Sequence, residues 1–219
     1  MESNRRIAPA LPTTLPGPTG DLEALIETPG EAPFGAFGVI CHPHPLHGGA
    51  LTNKVVHTLA RSFQELGAPT IRFNFRGVGK SAGRFADGIG ETDDALAVIA
   101  AGRARWPGAA LWLAGFSFGA GVAVRAAAGA DAKLLVTVAP AVKLIDLAAI
   151  EVPECPWLIV QGDSDDVVDP QAVLEWAQAL TPAPTVKVLL GVGHFFHGRL
   201  SELAALVVDF ARERVLARE

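Results

Sequence analysis

Leu111-Trp112-Leu113-Ala114 is a short apolar run, Gly115-Phe116-Ser117-Phe118-Gly119 is a G-x-S-x-G pentapeptide, and Ala120 to Ala130 is rich in alanine. In that order they predict a strand, a sharp turn and a helix. A serine on such a turn is held in a strained backbone conformation, with Oγ exposed and the amides of the helix N-terminus behind it. The flanking glycines remove bulk that would clash in so tight a turn. The geometry suits a nucleophile that attacks carbonyl carbon.

Working outward, further β-like runs fall at 35–41, 70–75, 133–138, 157–160 and 186–190, with an early antiparallel strand expected at Leu22 to Glu27. Helical patterns lie between them at 51–66, 91–105, 118–130, 170–180 and 201–216. Several of the strands are continuously apolar, as strands covered on both faces are. Strand-helix alternation implies right-handed crossovers, hence an α/β class with a mostly parallel central sheet and helices on both faces. Residues 8–20, rich in proline with Gly and Thr, read as an extended N-terminal arm over 1–20. A single domain is expected over 21–219.

Half of the 219 residues are hydrophobic and 19% are charged, ample material for a core and no sign of disorder. A net charge of −5, with 18 scattered Lys and Arg, argues against a nucleic-acid partner. Cys41 and Cys155 are too few for a disulfide framework and read as free thiols. No apolar stretch approaches the roughly 20 residues needed to span a bilayer. The polar, proline-interrupted N-terminus does not read as a secretory signal, so no membrane association and a cytoplasmic location are expected.

In open parallel sheets, ligands bind beyond the carboxyl ends of the strands. The loops found there are chemically loaded: His42-Pro43-His44-Pro45-Leu46-His47-Gly48-Gly49, then Ser117, then Gly162-Asp163-Ser164-Asp165-Asp166, then Gly191-Val192-Gly193-His194. The order nucleophile, acid, histidine is that of the α/β-hydrolase fold and of neither chymotrypsin-like nor subtilisin-like proteases. Ser117 would be the nucleophile and His194 the general base, with an acid orienting the imidazole. Asp163, Asp165 and Asp166 compete for that last role, and His197 competes with His194. Three imidazoles at His42, His44 and His47 invite a zinc reading, but prolines alternate with the first two. Arg76-Gly77-Val78-Gly79-Lys80-Ser81 lacks the spacing of a nucleotide-binding P-loop. Ser81 lacks the strand-turn-helix context of Ser117. Glu91, Asp93 and Asp94 open a helix, where carboxylates meet its positive end, and Asp169 before Pro170 is a helix N-cap. No cofactor or metal signal stands out.

Together, Gly115 to Gly119, Asn74 to Ser81 with its R-G-x-G-x-S pattern, the Gly162-x-x-Asp165 turn and Gly193-His194-Phe195 resemble the α/β-hydrolases. The nearest likeness is to their small lidless carboxylesterase and dienelactone-hydrolase-like group, over residues 35–200. The resemblance implies Asp165, ahead of Val167-Val168, as the triad acid, and His194 rather than His197 as the base. It implies an oxyanion hole built from the Phe118 amide and one from the His42 to Gly49 loop, with His44 preferred to Leu46. It also implies no cap domain, since Ala139 to Pro156 holds one short helix and no lid.

Phe116, Leu46 and Phe195 are candidate substrate contacts, although packing around the turns would place aromatic residues there equally well. The expected activity is serine carboxylesterase action on small, short-chain esters through an acyl-enzyme. A thioesterase or serine peptidase would use the same three residues, and a non-catalytic binding member of the fold would lack one of them. The expected partner is a small-molecule ester. Monomer and homodimer both stay open.

Overall fold

The computed structural model describes residues 10–30, 34–144 and 150–214. They form one eight-stranded sheet flanked by five helices. In chain order these are β1 Leu11–Gly17, β2 Gly20–Glu27, β3 Ala36–Cys41, α1 Lys54–Glu65, β4 Thr70–Phe73, α2 Ile89–Arg105 and β5 Ala110–Phe116. There follow α3 Phe118–Gly129, β6 Leu134–Val138, β7 Trp157–Gly162, α4 Pro170–Gln178, β8 Thr185–Leu189 and α5 Leu200–Arg214. The sheet order is β1-β2-β4-β3-β5-β6-β7-β8. Only the β1–β2 and β2–β4 pairings are antiparallel; from β4 to β8 every neighbour is parallel.

Alternation along β5 shows how two cores share one sheet. Leu111 and Leu113 join the cluster beneath α2, α3 and α4, whereas Trp112, Ala114 and Phe116 join the cluster beneath α1 and α5. Successive side chains of a strand point to opposite faces, so a continuously apolar strand needs cover on both. The two edge strands, β1 and β8, are the exceptions, both largely uncovered. Among the described residues no helix is long and apolar enough to cross a membrane.

The proline-rich segment departs from its reading as an arm. Regular structure was expected only from about Asp21, yet Leu11–Gly17 already forms β1, which pairs with β2 from Leu11↔Ile26 to Gly17↔Gly20. Proline is tolerated there because β1 is an edge strand, where a missing donor faces no neighbour. The final helix was expected over 201–216; α5 ends at Arg214, and 215–216 lie outside the described residues. The short helix expected after β6 falls partly on 145–149, also outside them.

Asp94 differs from its reading as a helix-end charge. It is fully buried and accepts from the amide, Nε and Nη2 of Arg76 at 2.9, 3.0 and 2.7 Å. This pair pins the glycine-rich loop onto α2. Ser81 Oγ is consumed in the same loop, donating to the Asn74 carbonyl and accepting the Glu23 amide. Neither cysteine is activated: burial, with nearby Asp94, pushes the Cys41 thiol far above its ordinary range, and burial takes Cys155 up to about 11.

The chain runs from β3 to β4 on one side and returns through α2 to β5 on the other. A sheet in which successive crossovers depart to opposite sides opens a crevice at the carboxyl ends of the strands between them. Ser117 leaves β5 at that crevice.

Candidate active site

Ser117 has φ 55° and ψ −117°, a left-handed conformation that non-glycine residues rarely adopt. Its surroundings hold it there. The Ser117 amide donates to the Val138 carbonyl, while its own carbonyl accepts from Ala120 and Ala141. The turn is then compressed between β5 and the β3 loop, and this is why glycines flank it. A Cβ on Gly119 would lie 2.3 Å from the His42 oxygen and 2.5 Å from the Cys41 oxygen; one on Gly115 would lie 2.1 Å from the Gly119 oxygen. All of these are backbone atoms that cannot swing aside. Gly119→Ala is expected to lower stability by about 3 kcal/mol, the upper part of the overpacking range, read as a fall in the urea midpoint with unchanged slope.

His194 and Asp165 arrive from the far side of the sheet. His194 Nε2 lies 3.1 Å from Ser117 Oγ, and His194 Nδ1 lies 2.8 Å from Asp165 Oδ2. The three side chains are buried together. Two loops are laced to bring them there: the Asp163 amide donates to the Leu189 carbonyl, the Ser164 amide to the Val192 carbonyl, and the Gly191 amide to Asp163 Oδ1. Asp163 therefore fastens the loops, Asp166 is exposed, and Asp165 faces the imidazole. His197 sits exposed on a turn, and α5 begins only at Leu200.

The Asp165 carboxylate is held at both oxygens. Oδ1 accepts the amides of Val167 and Val168 at 2.9 and 2.7 Å, and Oδ2 accepts from Gln161 Nε2 at 3.1 Å besides His194. Burial alone would raise its pKa, but the hydrogen bonds from His194, Val168 and Val167 outweigh it and the net shift is downward. The carboxylate is thus fixed in its ionised form. Sequence reasoning missed Gln161, although one amide side chain in the apolar strand Trp157-Leu158-Ile159-Val160-Gln161-Gly162 was a legible anomaly.

The histidine-rich loop assembles no metal site, and none is found among the described residues. His42 is completely buried; its Nδ1 lies 2.7 Å from the Pro43 carbonyl, which only accepts, and its Nε2 accepts the Phe75 amide at 3.0 Å. Both ring nitrogens are therefore committed and the ring is neutral. His44 Nδ1 accepts the Leu46 amide and caps the short 3₁₀ turn Pro45–His47. The rings of His44 and Phe118 lie 4.9 Å apart, which brings the two expected oxyanion residues together. Neither the Phe118 nor the His44 amide has an acceptor among the described residues.

Burial lowers the His42 pKa to about 4, although the Pro43 hydrogen bond opposes the shift. As the pH falls below the ordinary histidine value of about 6.5, the unfolded chain takes up the proton first. Stability contributed by neutral His42 is therefore complete above that value and is lost as the pH falls towards 4. Between pH 7 and 4.5 the loss is about 2 kcal/mol. His42→Gln is expected to flatten the urea-midpoint profile over that window by this amount relative to wild type.

A cleft of about 370 Å³ opens over Ser117 and His194, and Phe195 is among the residues that line it. Two other expected contacts are corrected. Phe116 is fully buried and packs its ring 4.9 Å from that of His194, so it supports the imidazole from below the cleft. Leu46 is 68% exposed on the 3₁₀ turn and lies outside the cleft lining, because the turn carries its side chain away. Residues not singled out from the sequence line the cleft instead: Asn53, Val142, Leu144 and Val167. Asp169 accepts the Gln171 amide at 3.0 Å as the expected cap of α4, and its other oxygen meets Lys143 Nζ at 2.7 Å.

Comparisons with known proteins agree with this architecture. The family described as serine aminopeptidase, S33, matches residues 44–153. An α/β serine hydrolase without a lid from Xanthomonas campestris is 42% identical, with a TM-score of 0.89 over 93% of this chain and 94% of that one. An α/β serine hydrolase homologue from Coxiella burnetii is 45% identical, with a TM-score of 0.87 over 91% of this chain and 96% of that one. A protein from Rickettsia prowazekii is 30% identical over 204 residues, 89% of this chain and 85% of its own.

Proposed function

The chain belongs to the α/β-hydrolase superfamily, within the family described as serine aminopeptidase S33, and from that premise we propose that it hydrolyses small carboxylic esters through an acyl-enzyme on Ser117. The observation that carries this reading is the unbroken line of contacts from Ser117 Oγ to His194 to Asp165 at 3.1 and 2.8 Å, at the floor of a largely apolar cleft.

In the proposed cycle, Ser117 Oγ attacks the ester carbonyl while His194 Nε2 takes its proton. The new C–O bond forms as the carbonyl π pair moves onto oxygen. That oxyanion is received by the amides of Phe118 and His44, each worth about 3 kcal/mol in the transition state. The Phe118 amide also belongs to the first turn of α3, where amides lack helical partners and the helix dipole is positive. Collapse of the intermediate breaks the bond to the alcohol oxygen, which leaves with the proton from His194. Water then repeats the sequence, giving its proton to His194 and releasing the acid. Asp165 keeps the imidazole oriented with its Nδ1 proton and stabilises the imidazolium.

Ester cleavage is favoured over aminopeptidase action by the charges around the cleft. A free α-ammonium is best held by an unpaired carboxylate, and among the described residues the carboxylate lining the cleft besides the buried triad, Asp169, is already occupied by Lys143 and the Gln171 amide. The deciding comparison is kcat/KM for p-nitrophenyl acetate, butyrate and octanoate against an alanyl p-nitroanilide and a butyryl thioester. Butyrate is expected to exceed the anilide by about 10³-fold or more, the scale set by leaving an ammonium without its partner. A faster anilide would replace this reading with a peptidase.

A further inference from the structure

We propose that the cleft selects esters with one apolar and one oxygen-bearing arm, laid across Ser117 between two chemically different walls. The inference rests on the ester-hydrolase reading and deepens it. The sheet neighbours of β5 are β3 on one side and β6 on the other. The loops leaving β3 and β6 therefore rise on opposite sides of Ser117. His44, His47 and Asn53 line the β3 side, whereas Val142, Leu144 and Val167 line the β6–β7 side.

The β3 wall is one of donors. His44 Nδ1 already accepts the Leu46 amide, so the neutral ring carries its proton on Nε2. Burial and the neighbouring His47 lower the His44 pKa, which keeps it neutral. Asn53 Oδ1 is spent on the Val55 and Val56 amides at the start of α1, leaving its Nδ2 hydrogens to offer. Such a wall recognises hydroxyl, ether or carbonyl oxygens. The opposite wall offers apolar surface left in water, with Leu144 58% and Val167 61% exposed. An apolar substrate arm laid there removes that surface from solvent. At its edge Lys143 and Asp169 neutralise each other, so neither arm needs a charge.

The test uses four esters of similar chain length: propyl butyrate, glyceryl butyrate, propyl glycerate and glyceryl glycerate. Each kcat/KM is divided by that ester's own rate with hydroxide. One mixed ester is expected to exceed both uniform ones by about tenfold, the scale of one or two hydrogen bonds. Whichever mixed ester wins identifies whether the acyl or the alcohol arm lies on the apolar wall, and either supports the assignment. Asn53→Asp keeps a capping oxygen but removes the N–H donors, and is expected to cut that preference about fivefold. Val167→Asn is expected to shrink the gain of about threefold for each methylene added to the apolar arm.

Normalised values within about threefold of one another for all four esters, or an Asn53→Asp effect equal on all four, would overturn the inference. Fluorophosphonate labelling of wild type separates the two levels. Labelled Ser117 with flat specificity defeats the two-wall assignment alone, whereas no labelling and no turnover defeats the hydrolase reading and this inference with it.

Discussion

Ser117→Ala is expected to lower kcat towards p-nitrophenyl butyrate by about 10⁴- to 10⁶-fold, and His194→Ala by a similar factor, because each removes half of one proton-transfer event. The two losses should not add. With Oγ gone, His194 has no proton to take, and with the imidazole gone, Oγ remains a poorly nucleophilic hydroxyl. The double variant should therefore match the single ones, keeping whatever acceleration substrate binding and the Phe118 and His44 amides supply. Stability should change little at Ser117, since its structural hydrogen bonds are made by backbone atoms. Steady-state kinetics on all three variants, with urea unfolding alongside, measures both quantities.

Asp165→Asn should cost about 10³- to 10⁴-fold in kcat, for a reason written into its four hydrogen bonds. Oδ1 faces two amide donors, and Oδ2 faces His194 Nδ1 and Gln161 Nε2. If the new NH₂ group takes the Oδ2 position, it meets Gln161 and forces His194 to accept at Nδ1. The imidazole proton then moves to Nε2, the nitrogen that must be empty to take the proton of Ser117. The reversed amide instead sets NH₂ against the Val167 and Val168 amides. Asp163→Asn should leave kcat within about threefold, because Asp163 Oδ1 only accepts from Ser164 Oγ and the Gly191 amide. Equal losses in the two variants would remove Asp165 from its assigned role.

How much the sequence disclosed follows from where each property resides. Ser117 was legible because a strained elbow demands glycine on both sides within five residues, and the distances from Gly119 to the Cys41 and His42 oxygens show that demand directly. The parallel sheet was legible because strands covered on both faces are apolar throughout. Long-range partnerships were not. Arg76 with Asp94 and the Phe75 amide with His42 join residues whose pairing depends on tertiary placement, which local periodicity does not encode. Side-chain direction was equally hidden. Phe116 and Leu46 stand near the site in sequence, yet strand alternation turns the first beneath His194 and a 3₁₀ turn carries the second away from the cleft. Proline misled at β1 because an edge strand does not need the donor that proline lacks.

The central claim is that Ser117 carries the acyl group. Wild-type protein mixed with p-nitrophenyl butyrate, acid-quenched within milliseconds and examined by intact-mass and peptide-level mass spectrometry measures this directly. The predicted result is a burst of p-nitrophenol matched by one butyryl group per chain, on the peptide containing Ser117 and absent from Ser117→Ala. Butyrylation at any other residue with Ser117 unmodified, or a burst that persists in Ser117→Ala, would contradict it.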